Sequence, residues 1–482
     1  MSGIYRKPGT EVEVVANTRI INLGETVRIT AIVGSGPSTL SVIDQAVQRN
    51  TGSVDYLPVY PATGVNVTKF SNVPKVPDNQ VLSISNAGNL FSPASASVAV
   101  NGQITWSDLN GQNVPSSGSI YYVSYSYDVP STQYDPQTFS DKNLIIATYG
   151  SESNTTGILS VAGSINLENG APGVIICQAS GSTVAGYTSA IDKLLKKINI
   201  EDLVVVFPSG STWSNSDRNT VINYAISHLN SAAAIGRERC LIFGSQNSDY
   251  SPGGFDLIGD AATPDSYIYT ATAVKNEKIT YAVPSICTRK DAGGAEMKLD
   301  GNFIAAALAG KRASRLKKST PLHGQNITGV TLADEKWTEF EMDQLGAGNC
   351  TVFESRAGII TIRDHITTDP TSADTQEPSV VDVTHLVIRS IRTGLNNTYT
   401  NKGIVVTPTT PVSVMGTTAS ILQTLVNDGE IFTYGKEDNP ITGETKITAV
   451  QNAQEPRQID VTCSFKPLYP LKWIKVTVSI FA

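Results

Sequence analysis

Charge is scarce in this chain. Asp, Glu, Lys and Arg make up 16% of its 482 residues, below the roughly 25% of an average soluble domain. The net charge is −7, so the cationic footprint that a duplex-DNA partner requires is lacking and direct nucleic-acid binding is not expected. Long hydrophobic runs are lacking too. Nowhere do about 18 apolar residues follow one another, so no membrane insertion is expected. The first residues lack an apolar core behind a basic start, and no signal peptide is expected there. Cysteine is sparse and poorly spaced. Cys177, Cys240, Cys287, Cys350 and Cys463 are odd in number, with no pair at metal-ligand spacing. They read as buried free thiols of a reducing compartment. The four histidines (His228, His323, His365 and His385) share no metal spacing and read as surface or lightly packed residues.

Catalytic patterns fail one by one. Gly181-Ser-Thr-Val-Ala-Gly186 follows a strand and opens a helix, where nucleotide folds hold phosphate. It has neither the Gly-Lys-Ser/Thr ending of a P-loop nor the three-glycine dinucleotide pattern. Ser209-Gly210-Ser211 follows a buried strand but lacks the Gly-x-Ser-x-Gly elbow of a hydrolase. Asp364-His365 could pair as acid and base, but nothing else converges on it. The sequons at Asn66, Asn154, Asn326 and Asn396 read as chance matches in an Asn/Thr-rich chain. The basic cluster at 311–318 reads as a solvated helix end set against the helix dipole, or as a surface for an acidic partner. No catalytic residue, cofactor or metal site is expected.

What is present is a chain that is 40% hydrophobic and long enough for about three domains. The Ser/Thr/Asn-rich surface that stands in for charge suits a protein largely covered by other chains. Val27–Val33 is strand-like, after a short arm and a spacer. Residues 38–140 alternate short strand candidates (Val81–Ser85, Ser97–Val100, Gln103–Trp106, Ile120–Tyr127) with turn pairs such as Asn101-Gly102, giving a small β-sandwich or barrel. From 141 to 320 continuous apolar runs (Val174–Gln178, Leu203–Phe207, Cys240–Phe243) alternate with helical spacing over Tyr187–Ile198, Ser216–Ile235 and Gly301–Leu316. That alternation predicts an α/β layer on a mostly parallel sheet. Residues 321–482 read as α+β, with a hairpin over Cys350–Glu354 and Gly358–Arg363 and helices over Val380–Leu395 and Thr417–Asp428.

Both ends carry alternating strands. Near the start Val12 and Val14 alternate with Glu11 and Glu13. At the other end Ile459, Val461, Cys463 and Phe465 alternate with polar residues, as do Ile474, Val476, Val478 and Ile480. Side chains of a strand change face at each residue, so these are half-buried strands. Pro467 and Pro470 fall in the connection between the last two. A two-stranded hairpin is marginal in water, so the strands need a sheet to join, in this chain or in a neighbour.

Four stretches resemble the sheath proteins of contractile phage tails and related injection systems. They are Gly3-Ile-Tyr-Arg-Lys-Pro-Gly-Thr-Glu-Val with Ala31–Pro37, the small-residue helix Asp300-Gly-Asn-Phe-Ile-Ala-Ala-Ala-Leu-Ala-Gly310, Leu345-Gly-Ala-Gly with Ile359–Arg363 as a leucine-glycine turn and return strand, and the terminal strand–Pro–strand. The resemblance implies a mixed α/β and α+β multidomain fold. It would comprise an extended arm (1–24), an inserted β-rich peripheral domain (25–140), a layered α/β domain (141–320) and a C-terminal α+β sheath domain with a strand arm (321–482). It also implies a function that is structural rather than enzymatic: a virion subunit, assembled in the host cytoplasm, that forms stacked rings around a tail tube and contracts to drive the tube through a bacterial envelope. Its partners would be copies of itself, the tube, the baseplate and a tail terminator. The terminal strands would add to neighbours' sheets. Arg389 and Arg392, three apart on one helical face, or the rival cluster Lys311, Arg312 and Arg315, would face the tube. The competing reading is an α/β enzyme, hydrolase-like or nucleotide-binding, with accessory β domains.

Overall fold

The computed structural model describes residues 29–50, 54–57, 65–71, 90–91, 96–99, 103–106, 115, 117–129, 131–208, 213–245, 258–259, 261–262, 266–284, 286–291, 293–332, 337–356, 358–400, 402, 404–436 and 446–470. Val12, Val14 and the segment carrying Ile474, Val476, Val478 and Ile480 lie outside them, as do Val81–Ser85, the Asn101-Gly102 and Asn110-Gly111 turns and Ser209–Ser211.

The apolar runs form a nine-stranded sheet. Its order is Asn326–Ile327, Ile359–Asp364, Thr351–Arg356, Ile279–Val283, Cys240–Gly244, Asp202–Val205, Thr30–Ser35, Val174–Ala179 and Gln137–Phe139. The six strands from Thr351–Arg356 to Val174–Ala179 are parallel, and the strands beyond them on both sides are antiparallel. The runs are continuous because the inner strands are covered on both faces. One face packs the helices Ile158–Glu168 and Gly301–Ala313 with Ile32, Ile176, Val204 and Ile242. The other packs Val184–Leu194, Asn215–Ala234 and Tyr267–Val274 with Val33, Ile175, Leu203 and Phe243.

The small residues of Gly301–Ala313 permit a close approach. A Cβ at Gly310 would lie 2.2 Å from the Asn166 carbonyl oxygen. Asn166 answers with its side-chain amide, donating to the Ala306 carbonyl at 3.0 Å and to Thr30 Oγ1 at 3.1 Å.

The sheet crosses two of the expected boundaries. Thr30–Ser35, expected in the β-rich domain, is a central strand with all six residues buried. An unbroken apolar run is the signature of a doubly covered strand, whereas the peripheral strands alternate. At the other boundary, Asn326–Ile327 and the hairpin Thr351–Arg356/Ile359–Asp364 extend this same sheet. Leu345-Gly-Ala-Gly is the end of the helix Glu339–Ala347 and its cap, not the turn of that hairpin.

The β-rich insertion leaves the sheet after Ser35. It holds a four-stranded sheet (Thr39–Gln48, Ile120–Asp128, Asn66–Ser71, Leu90–Phe91) and a three-stranded one (Val54–Tyr56, Gln103–Trp106, Ala96–Val98). Between them lie Val47, Leu57, Ile104, Trp106, Tyr121, Val123 and Tyr125. Asp55 is fully buried there. Its carboxylate accepts from Trp106 Nε1 at 2.9 Å, Tyr121 Oη at 3.0 Å and the Asn50 N–H at 2.7 Å.

The C-terminal unit packs the long helix Pro378–Thr398 against Thr410–Asn427 and two small sheets. One pairs Ile431–Tyr434 with Phe465–Pro467, the other Thr448–Gln451 with Ile459–Thr462. The long helix has its apolar face on Val383, Val387, Ile391 and Leu395, spaced at helical intervals.

Candidate functional site

The C-terminal unit meets the α/β sheet at a buried cluster of charges. Asp382 projects from the long helix, Arg312 and Arg315 from the end of the Gly301–Ala313 helix, and Glu201 and Asp202 from the start of an inner strand. Arg312 bridges the two carboxylates: Nη2 lies 2.6 Å from Asp382 Oδ1 and 3.1 Å from Asp202 Oδ1. Arg315 pairs with the other oxygen of Asp382 and donates to the Lys318 and Thr320 carbonyls at 3.2 and 3.0 Å. Lys318 pairs with Glu201. Its backbone N–H and that of Ser319 donate to the two oxygens of Glu430 at 3.1 and 2.9 Å, tying in the turn after Thr410–Asn427. Arg312 is 1% exposed, Arg315 5% and Asp382 2%.

Burial raises the pKa of both carboxylates, but their partners decide the outcome. For Asp382 burial is outweighed by Arg312, Arg315 and Lys318, and its pKa falls to about 2. For Asp202 burial outweighs Arg312, and the pKa rises to about 6. The opposite directions follow from geometry: two guanidiniums hold Asp382, whereas Asp202 shares one with a competitor. Arg312 itself stays charged, because the two aspartates more than offset its burial. His385, beside Cys240 on the same wall, is held neutral by burial, and burial pushes the Cys240 thiol up.

A second tie lies one turn along. Arg389 is 8% exposed and donates to the Glu238 backbone carbonyl. Arg392 makes a bidentate contact with the Glu238 carboxylate at 2.8 and 3.1 Å. Its guanidinium lies over Gly236 (φ +79°), where a Cβ would come within 2.4 Å of Nη1. Glycine therefore serves both the turn and the approach.

These positions correct several expectations. Arg312, Arg315 and Arg389 are buried ion-pair members of the joint between units, and Arg392 is engaged with Glu238, so the premise of an exposed tube-facing row fails for these four. Lys311, half-buried on the same helix, is not committed in this way. At the basic end of that helix Arg312, Arg315 and Lys318 meet internal carboxylates, while Lys317 is exposed. His228, His365 and His385 are buried, not surface residues. His228 packs against Arg239 at 2.6 Å, and burial with that neighbour lowers its pKa to about 4. All five cysteines are buried and free of disulfides.

The first of the terminal strands falls among the described residues. Ile459 and Val461 pair with Gln451 and Ala449, and Phe465 pairs with Tyr434. The partners described for them lie in this chain. The reason is local: Asn452 accepts from the N–H groups of Gln454 and Glu455 at 2.8 and 3.0 Å, closing a short turn that brings Gln458 back to Asn452. The expected single strand breaks at Cys463, which turns fully into the core while the chain passes to the second sheet.

At the carboxyl ends of the inner strands, where open α/β sheets hold ligands, several described polar groups bond to one another. Tyr187 Oη donates to the Val206 carbonyl at 2.8 Å and accepts from the Ser35 N–H at 2.9 Å. Gln178 donates to the Pro37 carbonyl at 3.0 Å. The N-terminus of the Val184–Leu194 helix is capped by Thr183, whose hydroxyl accepts from the Gly186 N–H at 3.1 Å. Among the described residues no cluster of His, Cys, Asp and Glu suits a metal ion, and no helix is long and apolar enough to cross a membrane.

No family model matches the chain. A curated relative, the tail sheath protein of Mycobacterium phage Bxz1, is 24% identical over 376 residues, covering 75% of this chain and 59% of that protein. The chain thus spans well under two thirds of that relative's length. Among solved structures, the helical sheath of the anti-feeding prophage in its contracted state superposes with a TM-score of 0.54, covering 99% of both chains at 11% identity. A chain of the anti-feeding prophage baseplate gives 0.50, covering 99% of this chain and 100% of that one at 12% identity. In sequence over three quarters of its length, and in fold over nearly all of it, the chain is similar to contractile tail sheath proteins.

Proposed function

We propose that the chain is a structural subunit of a contractile tail sheath, in the virion of a phage or a prophage-like particle. It polymerises around a tail tube and shortens to drive that tube through a bacterial envelope. The observation that carries this reading is the match in fold to a helical sheath over 99% of both chains, beside the sequence match to a tail sheath protein. Copies of the chain are the first partner. The tube, baseplate and tail terminator follow from the same reading, as does assembly in the host cytoplasm.

The physical case rests on the two small C-terminal sheets. Each has two strands, too few for independent stability in water. Among the described residues their outer strands are left with open edges, which accept a further strand through main-chain hydrogen bonds. We assign the added strands to the terminal segments of neighbouring copies, carrying Val12 and Val14 at one end and Ile474, Val476, Val478 and Ile480 at the other. Ile459, Val461 and Phe465 then form the acceptor rather than the donor. Lys311 retains the role of tube contact in this account.

Deleting residues 1–20 tests the strand exchange. The shortened chain is expected to fold with an unchanged melting temperature and to remain monomeric by light scattering where the full chain forms polymers. Polymers of normal length from the shortened chain would overturn the assignment.

A further inference from the structure

The α/β unit presents surfaces of opposite charge at opposite ends of its strands. Asp202–Val205, Cys240–Gly244 and Ile279–Val283 run parallel, so the sheet has distinct amino and carboxyl ends. Segments entering the strands build the amino end. Lys196 and Ile198 precede Asp202–Val205, and Ile235 and Arg237 precede Cys240–Gly244. Arg237 donates to the Leu195 carbonyl, holding the two segments together. Lys317 joins this end through its neighbour Lys318, which pairs with Glu201. Ile198 is 64% exposed and Ile235 55%, and Lys196 and Lys317 are exposed. Glu238, an acid within this surface, is committed to Arg389 and Arg392.

The carboxyl end is built by the hairpin that runs past it. Thr351 aligns with Ala282 near the end of its strand, so Glu354 and Ile359 extend beyond the end of that neighbouring strand. Glu339 and Asp343 of the adjoining helix reach Arg363 at 2.6 and 2.7 Å, and Glu354 reaches it at 3.1 Å. Three carboxylates here share the Arg363 guanidinium and Glu341 lies on the same helix, so acids outnumber bases although Arg356 ends the hairpin strand. Phe340 and Ile359 stand exposed beside it. Each end therefore combines apolar side chains with an excess of one sign of charge, although the acids Glu277 and Asp428 also stand at the amino end.

We infer that the amino end of one copy docks on the carboxyl end of the next, Lys196 and Lys317 facing Glu339 and Asp343 around Ile198, Ile235, Phe340 and Ile359. The occupant is a second copy of this chain because the two surfaces complement one another in charge and neither complements itself. Such a contact is head-to-tail, and head-to-tail contacts build rings or open helices. This inference rests on the sheath reading but is separate from the terminal strands: it concerns a second contact, between folded faces.

The test reverses each face in the full chain. Lys196→Glu with Lys317→Glu, and separately Glu339→Lys with Asp343→Lys, are each expected to raise the concentration needed for polymerisation by about tenfold or more, since like charges then face each other across the contact. An equimolar mixture of the two variants is expected to polymerise near the wild-type threshold, because each altered face then meets its altered complement. Should the second variant fail to fold, Glu339→Gln with Asp343→Asn takes its place, with a smaller rise and partial restoration by mixing. Variants that polymerise like wild type, or a mixture no better than either variant alone, overturn the inference. A wild-type chain that forms no polymer would instead remove the sheath reading beneath it.

Discussion

Asp382 shows how much of the molecule can depend on one side chain. It joins helices of two units by accepting from Arg312 and Arg315 where neither guanidinium reaches water. Breaking a buried pair by removing one partner strands the other charge, at about 3–5 kcal/mol. Asp382→Asn is therefore expected to lower the unfolding free energy by about that amount, measured by urea denaturation, and a loss below about 1 kcal/mol, the range of exposed pairs, would show that the joint is wetter than its geometry. The same cluster sets the response to acid. His228 and His385 have pKa values below the ordinary 6.5, so the unfolded chain binds protons that the fold does not, and stability falls as pH drops from 6.5 towards 4. Asp202 and Asp300 act in the opposite sense. Burial raises both from 3.8 to about 6, so the fold takes up protons first and gains stability over the window from 6 to 3.8. The two pairs act in opposite directions, so the melting temperature of the wild type is expected to change less from pH 6.5 to 4 than the histidines alone would make it. It then falls as Asp382, with its pKa near 2, is neutralised. Asp202→Asn removes one opposing group and is expected to begin losing stability nearer pH 6.5. Parallel pH profiles of variant and wild type would contradict the assignment. None of this was legible in the sequence. A cation at position 312 or 389 looks the same whether its carboxylate lies in solvent or 70 to 150 positions away, and the histidines were misjudged for the same reason.

Elements were far more legible, because apolar periodicity is local. The helix expected at Ser216–Ile235 is Asn215–Ala234, the strand expected at Cys240–Phe243 is Cys240–Gly244, and the hairpin around Gly358 pairs antiparallel. Grouping those elements required contacts that periodicity does not encode. Thr30–Ser35 sits beside Val174–Ala179 with the whole β-rich insertion between them in sequence. The insertion begins and ends at one place: the Val129 N–H donates to the Ser38 carbonyl at 3.0 Å. It also has its own core, organised by Asp55. Removing residues 39–128 and joining Ser38 to Val129 is therefore expected to leave a folded chain that still polymerises, as a peripheral domain should allow. A shortened chain with native circular dichroism that never assembles would place the insertion inside the polymer's contacts.

At the scale of the molecule, the features suit the sheath subunit proposed above. At the carboxyl ends of the inner strands Tyr187 and Gln178 bond to carbonyls of the chain. The α/β and C-terminal units are riveted through Arg312, Arg315 and Arg392, and small two-stranded sheets leave edges for neighbours. In that proposal, a body with strand-accepting edges rotates against its neighbours while main-chain pairing persists. On that proposal a sheath assembled in its extended form is a trapped state, and a bias of about 5.5 kcal/mol carries a two-state equilibrium from 1:99 to 99:1. The most direct test is negative-stain electron microscopy of the purified full-length chain, alone and assembled with the tail tube of its particle. Alone, the chain is expected to form short, wide, hollow tubes with a helical surface lattice; with the tube, it is expected to form longer and narrower ones enclosing it. A chain that remains monomeric at high concentration and leaves the tube bare would contradict the account.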